Sequence, residues 1–333
     1  MPKTASSPGP IKVIYDTDPG IDDAMALLFL EYAPAIDLVG ITTVLGNASI
    51  ETTTRNALFL KQYFGIQAPV ARGADRPLVL ELADEPPHHI HGHNGLGDVP
   101  IPETLSVTEH ELPAHRFIID MVRKHPGEIT IVAVGRMTNL ALALREDPGI
   151  ADLVKEIVIM GGAFGYSGHS GNVTPVAEAN IIGDPHAADE MFAASWPIVV
   201  VGLDVTQECV MSTAYMQELR EKAGKAGQFC WDISRVYEDF YRAATGIDGI
   251  FVHDSSAVAY LLDPSLFTTR TGPIKVVTEG IAIGQTIQKP STRSFPPGVW
   301  DGLPDHTICT DVDGKRFLDL YFQTIVDGAA ARA

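Results

Sequence analysis

Between Tyr15 and Met25 the chain sets Asp16, Asp18, Asp22 and Asp23 within eight residues, directly after an apolar run. Carboxylates this close repel one another, and holding them together calls for a cation among them. The run Ile11-Lys12-Val13-Ile14-Tyr15 reads as a buried strand and residues 24–30 as a helix, with Pro19 and Gly20 supplying the turn. Such a turn places the acids at the carboxyl edge of a sheet, where open α/β folds gather their ligands. Hard carboxylate oxygens select Ca²⁺ or Mg²⁺ over softer ions. A tight loop offering several oxygens suits Ca²⁺ better, because Mg²⁺ retains its waters. One Asp at the start of a helix is commonly an N-cap or first-turn acid. That accounts for Asp22 or Asp23 alone and leaves Asp16 and Asp18 unexplained.

The 333 residues are 45% hydrophobic and 20% charged, ample for a packed core. A formal net charge of −18 argues against nucleic-acid phosphates and anionic membranes as partners, but would not repel an uncharged small molecule. Cys209, Cys230 and Cys309 are widely spaced without a CxxC pattern, so neither a disulfide framework nor a zinc site is expected. Residues 1–10 are Pro/Ser-rich and flexible in expectation, with no apolar signal region, and nowhere do about 18 apolar residues run together. These features predict a cytoplasmic enzyme.

Strand and helix patterns alternate along the chain. Strands are expected at 36–44, 68–71, 129–134, 157–160 and 198–201, with helices at 50–64, 113–125, 138–145 and 184–194. Continuous apolar strands of this kind predict an α/β fold in which a mainly parallel open sheet is covered by helices. Residues 215–241 read as one helical region and 255–262 as another; 272–284 and 307–313 read as late strands and 316–326 as a closing helix. With no repeat or linker, one domain spanning 1–333 is expected. Two segments break the rhythm, the Pro- and His-rich 75–112 and the Gly-rich 161–176, and long irregular loops are commonly functional.

In a parallel sheet the strand ends gather on one edge. Asp16 and Asp18, Gly46 and Asn47, Val134 and Gly135, and Met160 with Gly161 and Gly162 would then face one pocket. Asn172, Glu178 and Asn180 offer the acceptors and donors a sugar needs. His253 and Asp254 precede a helix: Asp254 is either its N-cap or part of the site, and a histidine beside a carboxylate can serve as a general acid. Four imidazoles, His88, His89, His91 and His93, would fit a transition metal or a mobile flap, and their irregular spacing favours the flap.

The run Asp16-Thr17-Asp18-Pro19-Gly20-Ile21-Asp22-Asp23-Ala24 resembles the signature of the inosine-uridine preferring nucleoside hydrolase family. Further blocks follow in the family's order: Val44 to Asn47, His91 to Gly95, Met137 to Asn139, Met160 to Gly162, Asn172 to Asn180, and His253-Asp254. The resemblance implies the Rossmann-like nucleoside hydrolase fold and a calcium-dependent hydrolase that splits ribonucleosides into ribose and free base. Carried over, Asp18, Asp23, Asp254 and the backbone carbonyl of Val134 would bind Ca²⁺, and Asp18 would double as general base. Asp22, Asn47, Asn172, Glu178 and Asn180 would grip the sugar, with Met160 beneath it. His253 is the candidate acid for the departing base, His91 lies near the base by resemblance, and Tyr241 is a further candidate for the base-facing wall. Relatives suggest a homodimer or homotetramer.

The chain departs from the family at Ala179, where some relatives carry Phe, at Arg136, where proline is common, and in a longer stretch over 165–171. No Trp stands where purine-specific relatives stack one, which disfavours strict purine specificity. Two alternatives remain at this stage. One is a Mg²⁺-dependent phosphatase of the haloacid dehalogenase type, suggested by Asp16-Thr17-Asp18; the other is a calcium-dependent nucleoside-binding protein without turnover.

Overall fold

The structure is a computed structural model and describes residues 9–81 and 86–332. Most of the expected flexible amino-terminal segment, residues 1–8, lies outside the described residues.

The chain begins with β1 (Ile11–Thr17), α1 (Ile21–Tyr32), β2 (Ile36–Thr43), α2 (Ile50–Phe64) and β3 (Val70–Ala71). The His-rich segment contributes one short helix, α3 (His88–His91), before α4 (Ala114–Lys124), β4 (Ile129–Ala133), α5 (Thr138–Glu146) and β5 (Glu156–Met160). Then come α6 (Ala179–Gly183), α7 (Pro185–Ala193), β6 (Ile198–Val201), α8 (Leu203–Thr206) and β7 (Val210–Ser212). The last third holds α9 (Thr213–Lys222), α10 (Gly224–Thr245), β8 (Gly249–Phe251) and α11 (Asp254–Leu262). It closes with β9 (Phe267–Gly272), β10 (Ile274–Val276), β11 (Thr286–Gln288), β12 (His306–Val312) and α12 (Gly314–Ala330).

Eight strands form the main sheet in the order β3-β2-β1-β4-β5-β6-β12-β9, parallel except for the edge strand β9. The order 3-2-1-4-5-6 reverses direction between β1 and β4, the position where doubly wound sheets open a crevice at their carboxyl ends. Alternation along β1 divides the core. Val13 and Tyr15 pack with α1, α10, α11 and α12 on one face, while Ile14 packs with α4, α5 and α7 on the other.

Two expected elements are different. The helical region expected over 215–241 is made of two helices, α9 and α10, parted at Gly224, which takes φ +49°. The strand over 272–284 is β9 followed by the short β10, separated by Gly272-Pro273; Pro273 has no N–H to extend the ladder, and 277–284 is a turn leading to β11.

Candidate active site

Helix α1 begins where β1 ends, and Asp23 ties the two together. Its Oδ2 accepts from Gly20 N at 2.9 Å and from Asn47 Nδ2 at 2.8 Å, while its Oδ1 accepts from Thr17 Oγ1 at 2.5 Å. Asp23 thus caps α1 and also belongs to an acidic group. Asp22, Asp23 and Asp254 each present a carboxylate oxygen within 4.8 Å of the others, all buried. Asp18 adjoins them. Its Oδ2 accepts from Asn47 N at 2.7 Å, and its buried Oδ1 has no hydrogen-bond partner among the described residues, nor does Asp22 Oδ1. Gly46 and Gly135 make room for Asp18: a Cβ on Gly135 would sit 2.6 Å from Asp18 Oδ1. His253 takes the N-cap position of α11 and Asp254 is its first residue, so capping is not the reason for an acid there.

Burial raises every carboxyl of this group, Asp18 further through the charge on Asp23, and Asp254 further through those on Asp22, Asp23, Asp18 and Glu178. Adjacent to them, Asp16 is raised by burial to about 7 despite donors from Thr42 and Asn139. Buried acids that face each other with unpaired oxygens are stable together when a divalent cation replaces the missing protons. The donor set therefore fits a hard metal ion.

Above the acids lies a cavity of about 340 Å³. Its lining includes Asp22, Asn47, Val134, Met160, Asn172, Glu178, Asn180 and Asp254. Asn180 Nδ2 donates to Val134 O at 2.7 Å, and Glu178 caps α6 by accepting from Asn180 N and Ile181 N. Ile90, Phe240, Ala244, Phe251 and Gln207 line it as well, with Phe240 and Phe251 packed edge-on against Tyr241, and His91, Tyr237, Tyr241 and His253 also face the cavity.

A directed chain of hydrogen bonds joins the acids to His253. Tyr237 OH donates to Asp22 Oδ2 at 3.2 Å, and Tyr241 OH donates to Tyr237 OH at 3.0 Å. Since the Tyr241 proton is committed, His253 Nε2 at 2.8 Å must be the donor to Tyr241, and His253 Nδ1 accepts from Thr206 Oγ1 at 2.8 Å. Burial lowers His253 to about 4, so it rests as neutral imidazole. It can pass a proton through Nε2, but it does not store one as imidazolium near neutral pH.

The family model for inosine-uridine preferring nucleoside hydrolase matches residues 13–319. The chain belongs to that family. Uridine nucleosidase 1 of Arabidopsis thaliana is 40% identical over 313 residues, covering 92% of this chain and 91% of its own. The inosine-uridine preferring nucleoside hydrolase of Crithidia fasciculata is 40% identical over 281 residues, covering 84% and 87%. Among solved structures, a plant nucleoside hydrolase, PpNRh1, superposes with a TM-score of 0.91 at 38% identity, covering 95% of this chain and 99% of that one. Membership makes the chain an enzyme and sets aside both the phosphatase and the binding protein without turnover.

In this nucleoside hydrolase, eleven of the thirteen sequence candidates line one cavity; Asp18 and Asp23 lie beside them, bonded to Asn47 and to the start of α1. Asp22, read from the sequence as a sugar ligand, also shares the three-carboxylate cluster. Of the four histidines in the expected flap, His91 is buried, its Nδ1 accepting from Ile21 N at 3.3 Å and its ring stacked on Tyr237. Gly20 permits this approach, since a Cβ there would lie 2.7 Å from His91 Nδ1. Tyr237, Thr206, Gln207, Phe240 and Phe251 were not singled out by sequence. The i,i+4 spacing of Tyr237 and Tyr241 on α10 was the one signal available for them.

Proposed function

We propose that this nucleoside hydrolase cleaves the N-glycosidic bond of ribonucleosides with Ca²⁺ as its metal and Asp18 as general base. The observation that carries the proposal is the group of buried acids with unpaired oxygens at the sheet's switch point, opening into a cavity lined by both carboxylates and amides and by aromatic residues. Asp18, Asp23, Asp254 and the Val134 carbonyl would hold the ion, with Asp22 close enough to join them. When bound, calcium supplies a fixed positive charge that polarises water and sugar hydroxyls.

The chain's own groups do the rest. Asp18 Oδ1 is free to take a proton from an attacking water while Asn47 N holds Oδ2 in place. Asn47, Asn172, Glu178 and Asn180 orient the ribose hydroxyls, and Met160 packs beneath the ring. The transition state is oxocarbenium-like, so the surrounding carboxylates stabilise the positive charge that develops on the sugar. Direct attack by water inverts the anomeric carbon. The base departs toward the aromatic residues, where the Tyr241 hydroxyl can give it a proton and take one in turn from His253 Nε2, with His253 re-protonated from solvent and the proton that Asp18 takes from water released to solvent. No Lys or Arg is among the described residues lining the cavity, which favours an unphosphorylated substrate.

A single domain, a cytoplasmic location and a homodimer or homotetramer complete the proposal, with neither nucleic acid nor membrane as partner. Among the described residues, no helix is long and apolar enough to cross a membrane. The test is hydrolysis of uridine and inosine to reducing sugar and free base, abolished by a calcium chelator and restored by Ca²⁺. Full turnover by a thoroughly chelated enzyme would overturn the metal assignment; near-normal kcat in Asp18→Ala would overturn the base.

A further inference from the structure

Gln207 lines the cavity and directly follows Thr206, whose hydroxyl bonds to His253 beside the aromatic rings of Tyr241 and Phe251. It ends helix α8, which is fixed from several sides. Asp204 of that helix accepts from Phe164 N at 2.8 Å and Tyr166 N at 2.6 Å, Thr206 is bonded to His253, and Glu208 pairs with His169 at 2.6 Å. The Gln207 backbone N–H donates to Leu203 O at 3.2 Å. Its side-chain amide makes no hydrogen bond to any described residue, although the main chain that carries it is held. Of the other polar groups lining the cavity, Thr245 Oγ1 donates to Tyr241 O at 2.8 Å, both His253 nitrogens and the Tyr241 proton belong to the relay, and His91 holds Ile21 N through Nδ1, leaving its Nε2 without a partner among the described residues.

A nucleobase entering the cavity beside Gln207 would bury ring nitrogens and exocyclic groups that need partners, and a polar atom left unpaired there costs more than a lost hydrogen bond. We infer that Gln207 reads the polar edge of the departing base and is a specificity-determining residue of the hydrolysis proposed above, on which this inference rests. A carboxamide presents a donor and an acceptor side by side. In one orientation it matches a lactam edge, a ring N–H next to a carbonyl. After a half-turn it matches an amidine edge, a ring nitrogen next to an amino group. The ligand class is therefore a base carrying such a paired edge, whether its ring system is single or fused. Apolar walls alone would separate bases by little, whereas a site built to hydrogen-bond the edge rejects a leaving group that lacks one.

The experiment compares kcat/KM for uridine and inosine with that for p-nitrophenyl riboside, whose leaving group has no lactam or amidine edge. It is run on the wild type, Gln207→Leu and Gln207→Glu. In Gln207→Leu the ratio of either nucleoside to the aryl riboside is expected to fall about tenfold, the loss of one buried hydrogen-bonding partner. Gln207→Glu keeps the size of the side chain and removes its donor, so the ratio falls there too, and thermal melting verifies that both variants fold. An unchanged ratio in either folded variant overturns the inference, as does a wild type that cleaves only the aryl riboside. A wild type that cleaves none of the three removes the ribohydrolase reading itself.

Discussion

Replacing Tyr241 by Phe would delete one oxygen from the middle of the relay. That hydroxyl accepts from His253 Nε2 at 2.8 Å and donates to Tyr237 OH at 3.0 Å, so its loss separates His253 from the branch that ends on Asp22. The ring would remain, and with it the edge contact to Phe251 at 5.0 Å and the tilted contact to Tyr237 at 4.7 Å. The cost to folding is confined to the unpaired His253 N–H, about 1–3 kcal/mol, which a fold stabilised by roughly 5–15 kcal/mol survives. Turnover should suffer more. Positioned proton transfer contributes about 10²- to 10⁴-fold, so kcat on uridine is expected to drop at least about 10²-fold, on the order of 2.7 kcal/mol of activation free energy. The assay pairs uridine, whose base leaves as a poor anion, with p-nitrophenyl riboside, whose phenolate leaves without a proton. The aryl riboside should lose less than about tenfold, since only binding and packing are disturbed. Equal losses on both substrates would refute proton delivery through Tyr241 and leave the residue a wall of the cavity.

The other predictions concern the acids beneath. Adding Ca²⁺ at about 100 times its dissociation constant to metal-free protein should stabilise the fold by about 2.7 kcal/mol, read as a rise of several degrees in Tm; no rise argues against an ion among Asp22, Asp23 and Asp254. Asp16 stands at about 7 in the fold against 3.8 normally, so the folded state holds its proton more tightly and metal-free stability should fall as pH rises from about 4 to 7. Asp16→Asn should make urea-unfolding free energies less dependent on pH across that window, and an unaltered slope contradicts the assignment. Gly135→Ala puts a methyl 2.6 Å from Asp18 Oδ1 and 2.8 Å from Val44 Cγ1; kcat should fall by more than about tenfold while the protein still folds, and normal kcat would mean that Asp18 is free to move.

The sequence made the sheet legible because its parallel strands are buried on both faces and read as unbroken apolar runs, as in Ile198–Val201. From that, the strand ends could be collected into one pocket, and Asn47, Val134 and Met160 were found by position along the fold. The late strands were harder, since β10 and β11 are three-residue pieces whose pairing depends on a turn with no period of its own. The break between α9 and α10 rests on one glycine conformation inside a pattern that stays helical on both sides.

The same physics separates the two halves of the site. Groups that hold a metal and a sugar must be acids and amides in tight turns, and Asp, Asn and Gly beside a strand end are rare enough to be noticed. Groups that receive a base are aromatic and aliphatic, and on α10 they merge with the stripe any helix needs to pack. Tyr237 packs against His91 and Tyr241 as a core residue would, and only its hydroxyl on Asp22 sets it apart. Gln207 lies at the end of a four-residue helix too short to carry periodicity. The role proposed for it rests on what surrounds it, a backbone fixed within α8 and a side-chain amide with no partner among the described residues. The proposed contacts to the base thus come from distant segments, whereas those proposed for the ribose come from local motifs.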